Sequence, residues 1–261
     1  LEIFRSENLW PQQSQGSAYP IADSKQIYKG NFARLEKLAL TLYISSAGTN
    51  RLPPLPIPEL EWYQADTACV PPARKEIETQ AAQLRRALRG CPLKLSLNVL
   101  SERQFNHKIA QWNNKTNVLK ELVGRLICDF GGRPGHCAID HLGALKRYRP
   151  WLCQLFGKNE SLPQNWEIRN ESPHCSEYYD REEQLHLQFR VRGDQQNILC
   201  AIASVWAKYH RERFMKQFNQ YWQQRFPAAP TTSGYYRDAM IFLDYVKEKM
   251  GELPPDIQRN R

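Results

Sequence analysis

No two cysteines stand in a C-x-x-C arrangement in this chain, and its 7 cysteines, an odd number, do not form a closed disulfide set or match a zinc-binding pattern. A reducing cytoplasm is the expected location. No apolar run approaches the roughly 20 residues that a bilayer crossing needs, and no basic stretch leads into an apolar one at the N-terminus. A membrane role is not expected. There is no internal repeat, and the first residue is Leu1 rather than methionine, so a start upstream is expected.

What the chain does carry is positive charge and enough apolar residues for a core. Its 261 residues are 41% hydrophobic, with a net charge of +9. The length suits one large domain or two small ones, and the charge favours a polyanionic partner. Beyond that partner, a monomer is the default expectation.

Periodicity places the elements. Phe32, Leu35, Leu38, Ala39 and Leu42 make an apolar stripe, predicting a helix over 31–43. Residues 45–72 are rich in Pro, Gly, Ser and Thr and read as a surface excursion outside the core, and a basic helix follows over 73–89. The alternation of residues 93–100 predicts a strand, with a helix starting at Ser101 or Glu102 that Asn113 and Asn114 interrupt without ending. Leu126 to Phe130 reads as a short buried strand ending in Asp129, followed by a tight turn at Gly131, Gly132 and Gly135 and a helix over 139–148. His136, Cys137 and His141 look like metal ligands, but with no second cysteine at suitable spacing and no fourth ligand they are assigned as loop and helix residues. Residues 151–183 are assigned as loops with one strand at 166–169. The clean alternation of 185–192 predicts a strand that delivers Asp194 to its end.

After Asp194 comes a long helix, with Leu199, Ile202, Ala203, Trp206, Phe214, Phe218, Tyr221 and Trp222 near helical period and Lys208, Arg211 and Arg213 interleaved. A loop through Pro227, Pro230 and Gly234 leads to a final helix from Tyr235. Two aspartates at strand ends, Asp129 and Asp194, would repel unless bridged by a hard, oxygen-seeking cation such as Mg²⁺ or Mn²⁺. The plainer alternative is that both only cap helices or make turns. Likewise Tyr235 beside Gly234 either stacks on a sugar or packs, and the cations of the long helix either meet phosphate or simply face water.

Taken in order, Asp23-Ser24-Lys25, Asp129, Gly193-Asp194, Ala203-Ser204-Val205-Trp206-Ala207-Lys208-Tyr209-His210-Arg211-Glu212 and Gly234-Tyr235 resemble the type 2 ribonuclease H family, ribonuclease HII. The correspondence covers about a third of the chain in separate blocks, with Glu212 standing where the family has aspartate. It implies an α/β, RNase H-like fold with a central mixed sheet flanked by helices and a helical C-terminal part. It also implies an endonuclease that hydrolyses the RNA strand of RNA/DNA hybrids, including ribonucleotides in duplex DNA, by divalent-metal chemistry. Asp129 and Asp194 would be the catalytic metal ligands, and Lys25, Ser204, Lys208, Arg211 and Tyr235 would bind substrate. The family's first ligands, an adjacent Asp-Glu on a glycine-rich strand, have no counterpart, since Glu2 and Glu7 lack that context. Residues 1–261 are therefore expected to form one N-terminally truncated domain, inactive alone. Residues 45–90 would be a proline-rich excursion plus basic helix, and 134–184 an insertion. The alternative is a noncatalytic hybrid-binding protein on the same fold.

Overall fold

The structure, a computed structural model, describes residues 24–28, 30–47, 59–63, 74–88, 93–130, 135–143, 145–162 and 165–259. They fall into two compact units, one drawn from Ser24–His107 and Ala203–Arg261, the other from Lys108–Ile202.

In the first unit, helices α1 (Ser24–Tyr28), α2 (Phe32–Ala47) and α3 (Arg74–Ala87) precede α4 (Glu102–Trp112), whose residues from Lys108 onward are assigned to the second. The apolar stripe of α2 buries Leu35, Ala39, Leu40 and Leu42, and α3 adds Ile77 and Ala81. Arg85 ties these helices by donating to the Ile44 carbonyl at 2.8 Å. Ser101 and Gln104 cap α4 reciprocally: Ser101 Oγ accepts from the Gln104 amide at 3.2 Å, and Gln104 Oε1 accepts from the Ser101 amide at 3.1 Å. That pairing explains why the helix begins where the sequence places it.

Three expectations for the residues up to Asn114 change. Residues 93–100 alternate in exposure as a strand would, yet form no strand, because alternation reports which face meets solvent and not whether a neighbour supplies a hydrogen-bond ladder. Asn113 does end the helix, with φ of 44°, and Asn114 Oδ1 accepts from the Thr116 amide at 2.8 Å to start the next one. Within the excursion assigned outside the core, Leu60, Trp62 and Tyr63 are instead buried. They pack with Phe218, Trp222, Phe242 and Val246, Trp62 meeting the Phe218 ring edge-on at 5.9 Å. Aromatic area offsets the cost of ordering this short stretch. Residues 45–47 belong to α2, and 48–58, 64–72, Gly131 and Gly132 lie outside the described residues.

Within the second unit, α5 (Lys115–Phe130) takes up in its last turns the strand expected at 126–130. Ile127 is buried, and Val123, one turn earlier on the same face, packs against the same core, so helical spacing runs through the segment. Then come β1 (Gly135–Asp140), α6 (Arg149–Leu155), β2 (Glu167–Glu171), β3 (Cys175–Asp180) and β4 (Leu185–Arg190). The helix expected over 139–148 is thus β1 followed by a loop, a six-residue apolar segment being too short for periodicity to separate strand from helix. The strand at 166–169 is found as β2, whereas α6 and β3 lie where loops were expected. The architecture is α/β, a four-stranded mixed sheet flanked by helices in the order β1-β4-β3-β2. β1 runs parallel to β4, and the β2–β3 and β3–β4 pairs are antiparallel. Segment 134–184, expected to be an insertion, therefore supplies three of the four strands.

One face of the sheet builds this unit's core. Leu185, Leu187 and Phe189 alternate inward from β4 and pack with Tyr148, Leu152, Trp166 and Tyr178. Tyr148 stacks on Phe189 with ring centroids 3.8 Å apart. Its backbone amide donates to Tyr178 Oη at 3.0 Å, and its own hydroxyl oxygen accepts from the Leu142 amide at 3.0 Å. The loop leaving β1 is thereby pinned to the core.

Beyond the sheet, α7 (Gly193–Gln196), α8 (Ile198–Arg225) and α9 (Tyr236–Met250) complete the chain. Asn197 starts α8, its Oδ1 accepting from the amides of Leu199 at 2.9 Å and Cys200 at 3.3 Å. No helix among the described residues is long and apolar enough to cross a membrane.

His210 on α8 is 2% exposed, and neither ring nitrogen has a hydrogen-bond partner. Its ring meets Trp206 edge-on at 4.4 Å. Burial, and then the charge of Arg213, lower its pKa from 6.5 to about 4. The unfolded chain takes up this proton near pH 6.5 while the folded chain resists until about pH 4. Stability should therefore be unaffected above that window and fall as the pH drops through it. Urea titrations at pH 7.5 and 5 should show the loss, and His210→Phe should reduce the difference between them.

Candidate functional site

The strand-end position assigned to Asp129 belongs to Asp140. Asp129 is an exposed residue in the last turn of α5. Asp140 closes β1, and its backbone is held on both sides. The pairing continues one residue past it, His141 donating to the Arg190 carbonyl at 3.0 Å, and the Leu142 amide is fixed by Tyr148 as described.

Asp194 arrives from β4 by a sharp turn. Arg192 takes the left-handed conformation, φ 57° and ψ 44°, which redirects the chain into α7. Gly193 then passes buried between Asp140 and Cys200: a Cβ there would lie 3.4 Å from Cys200 Sγ and 3.6 Å from Asp140 Cα. The Gly193 amide donates to Asp140 Oδ1 at 3.1 Å. The strand-end carboxylate is thus bonded to the residue immediately before Asp194. The Cys200 thiol registers both charges, pushed up to about 11 by burial first, and then by Asp140 and Asp194. Asp140 is exposed and Asp194 half-buried, so the pair opens to solvent.

Mg²⁺ typically takes one or two carboxylates and fills its remaining positions with water and substrate phosphate. Asp140 and Asp194 fit that donor set. Among the described residues no group of three or more His, Cys, Asp or Glu side chains is placed to hold an ion. The sequence signal that would have found Asp140 is the pattern His136-Cys137-Ala138-Ile139-Asp140, an apolar segment ending in a carboxylate and followed shortly by Gly143.

Within the first unit, α8 carries a separate cluster. Glu212 accepts from Lys208 at 2.8 Å, one helical turn earlier, and from Arg211 at 2.6 Å. Tyr28 from α1 donates to Glu212 Oε2 at 3.2 Å, and Lys208 Nζ sits 4.7 Å from the centre of the Tyr28 ring. Burial pushes the Glu212 carboxyl up, but hydrogen bonding and charge from Lys208, followed by Arg211, outweigh it and leave it below the usual carboxylate range. The Arg211 guanidinium lies 4.6 Å from the centre of the Tyr235 ring and also donates to the Ser233 carbonyl. Tyr235 is 61% exposed.

Of the expected substrate-binding residues, Lys208, Arg211 and Tyr235 are therefore brought together, with Tyr28 and Glu212 as their organisers. Ser204 is held by Ser24, their hydroxyl oxygens 2.9 Å apart. Lys25 belongs to α1, and its side chain lies outside what is described. Gly234, at φ 73°, makes the turn before Tyr235. A Cβ there would meet Met215 Sδ at 3.1 Å, so both conformation and space favour glycine.

Comparison of the chain with protein-family models, with curated proteins and with solved structures returns no match.

Proposed function

We propose that the intact protein is a metal-dependent endonuclease of the type 2 ribonuclease H kind, with an RNase H-like fold, acting on RNA/DNA hybrids and on ribonucleotides in duplex DNA. The observation that carries this is the pairing of Asp140 with the Gly193-Asp194 segment: the Asp140 carboxylate, at the end of β1, accepts from the backbone amide of Gly193, the residue before Asp194 in the turn that leaves the parallel partner strand β4. On this reading α6, β2 and β3 are the family's departure, an addition on the far side of β4.

Asp140 and Asp194 would hold Mg²⁺ or Mn²⁺, which supplies charge neutralisation at the phosphate and lowers the pKa of bound water. The chain's own groups do the rest. Asp140 is held at its working angle by the Gly193 amide, and Asp194 by the turn through Arg192. Lys208 and Arg211 offer cations to phosphate, while Glu212 fixes their side chains so that less rotamer freedom is lost on binding. Tyr235 presents a ring face to a ribose or base, and the 2′-hydroxyl is the feature that marks RNA.

The test is cleavage of a duplex bearing one ribonucleotide by the full-length gene product, with Mg²⁺, with Mn²⁺ and with chelator. Metal-dependent incision leaving 3′-hydroxyl and 5′-phosphate ends is expected. A second reading, a noncatalytic hybrid-binding protein, has one observation in its favour: the cluster of Tyr28, Lys208, Arg211, Glu212 and Tyr235 is complete without any ion. Tight hybrid binding without incision in either metal would favour it over the enzyme.

Removing phosphate-contacting cations has a distinct signature. Lys208→Ala and Arg211→Ala should each weaken hybrid binding and lower the slope of log K against log salt by about 1. Unchanged slopes in both variants would place the phosphate backbone elsewhere.

A further inference from the structure

The sheet has a second face, and it is polar. Opposite the core-facing Leu185, Leu187 and Phe189, β4 presents His186, Gln188 and Arg190, while β3 presents Cys175 and Glu177 and β1 presents His136. Register sets His136 directly beside His186 on parallel strands. Their rings meet at 63° with centroids 4.4 Å apart, and the two Nδ1 atoms are 3.4 Å from one another.

That separation is long for a hydrogen bond between imidazoles, whose usual heavy-atom range ends near 3.2 Å. It matches another geometry. Two imidazole nitrogens bound to one zinc ion at about 2.0–2.1 Å, at a tetrahedral angle, stand about 3.3 Å apart. Chelation through both Nδ1 atoms requires each to offer a lone pair, placing the remaining proton of His186 on Nε2. That nitrogen faces Glu177 Oε2 at 3.9 Å. Glu177 is itself fixed, accepting from Gln188, from Cys175 Sγ at 3.3 Å and from Arg190 at 3.5 Å. At that separation the contact is electrostatic rather than a hydrogen bond, and the carboxylate's charge favours keeping the ring proton on Nε2. His136 is exposed and His186 half-buried, so an ion can reach both.

We infer that His136 and His186 form a two-histidine chelate for a borderline-soft divalent ion of the zinc type, backed by Glu177 and completed by water. It differs in chemistry from the carboxylate pair, which offers only hard oxygen. Because β4 is the only described neighbour of β1, the bound ion would clamp β1 onto the sheet.

The test is calorimetric titration of the full chain with Zn²⁺, and with Co²⁺ as a spectroscopic probe, in excess Mg²⁺. One saturable site is expected, with a rise in melting temperature. His136→Ala and His186→Ala should each abolish it, and Glu177→Gln should weaken it by a smaller factor, since only a long-range charge is lost. Asp140→Asn, Asp194→Asn and Cys175→Ser should retain it, separating this site from the proposed nuclease centre and from adventitious thiol binding. Absence of a saturable site in the parent chain would overturn the inference. So would binding that survives His136→Ala, or that is lost with Cys175→Ser.

Discussion

Asp140→Asn and Asp194→Asn, each in the full-length protein, should reduce incision of a single-ribonucleotide duplex by about a thousandfold or more. Asparagine keeps the size of the side chain and one oxygen, so the Gly193 amide still finds an acceptor at position 140. What is lost is the charge that draws a divalent ion. Hybrid affinity should stay within a few-fold of the parent, because the proposed phosphate-binding cations, Lys208 and Arg211, are untouched. Asp129→Asn is the informative companion: the sequence alone puts Asp129 at a strand end, whereas the fold puts it on the last turn of α5. Parental incision is therefore expected for that variant. Rates equal to the parent in both the Asp140 and Asp194 variants would refute the site assignment, whatever the protein cleaves.

The second large effect concerns stability. Asp180 closes β3, is 1% exposed, and pairs with Lys158 Nζ at 2.6 Å. Its Oδ1 also accepts from the amides of Glu182 at 3.0 Å and Glu183 at 3.2 Å, which shapes the turn into β4. Asp180→Ala removes all three partners together. A buried pair broken from one side costs roughly 3–5 kcal/mol, because the remaining charge and amides lose their compensation. Lys158 keeps a contact with Glu182 at 2.9 Å, at a highly exposed carboxylate, so about 3 kcal/mol is the expected loss. In urea denaturation the midpoint should fall with the slope unchanged. Replacing both partners by apolar residues, Lys158→Met with Asp180→Leu, should be milder, since no buried charge is then left alone. Equal losses in the single and double variants would show that the two turn amides, rather than the ion pair, carry the effect.

Elements with strong periodicity were legible from residues alone. The stripe of α2, the alternation of β4 and the span of α8 each repeat their pattern over enough positions to fix the element. The segment from Leu126 to Tyr148 was not. There a helix end and a short strand carry similar apolar content, and the strand partner that distinguishes them, β4, lies about fifty residues away. That one ambiguity moved the carboxylate from position 140 to 129. The cluster on α8 was more legible: Lys208 and Arg211 share a helix and Gly234-Tyr235 sits in a recognisable turn, so the sequence alone singles out three of its members. Tyr28 and Glu212 were not assigned roles, because a tyrosine on a five-residue helix carries no signal of what it faces across 184 residues of chain.

Among the described residues β1 has β4 on one flank and no strand on the other. Backbone amides and carbonyls along such a flank can recruit another extended segment. One docking there in the same direction would bring its C-terminal end alongside Asp140, adding whatever side chains it bears to the two carboxylates already present. The proposed centre would then be completed by augmentation rather than by rearrangement, with the Asp140–Asp194 pair serving as its seed.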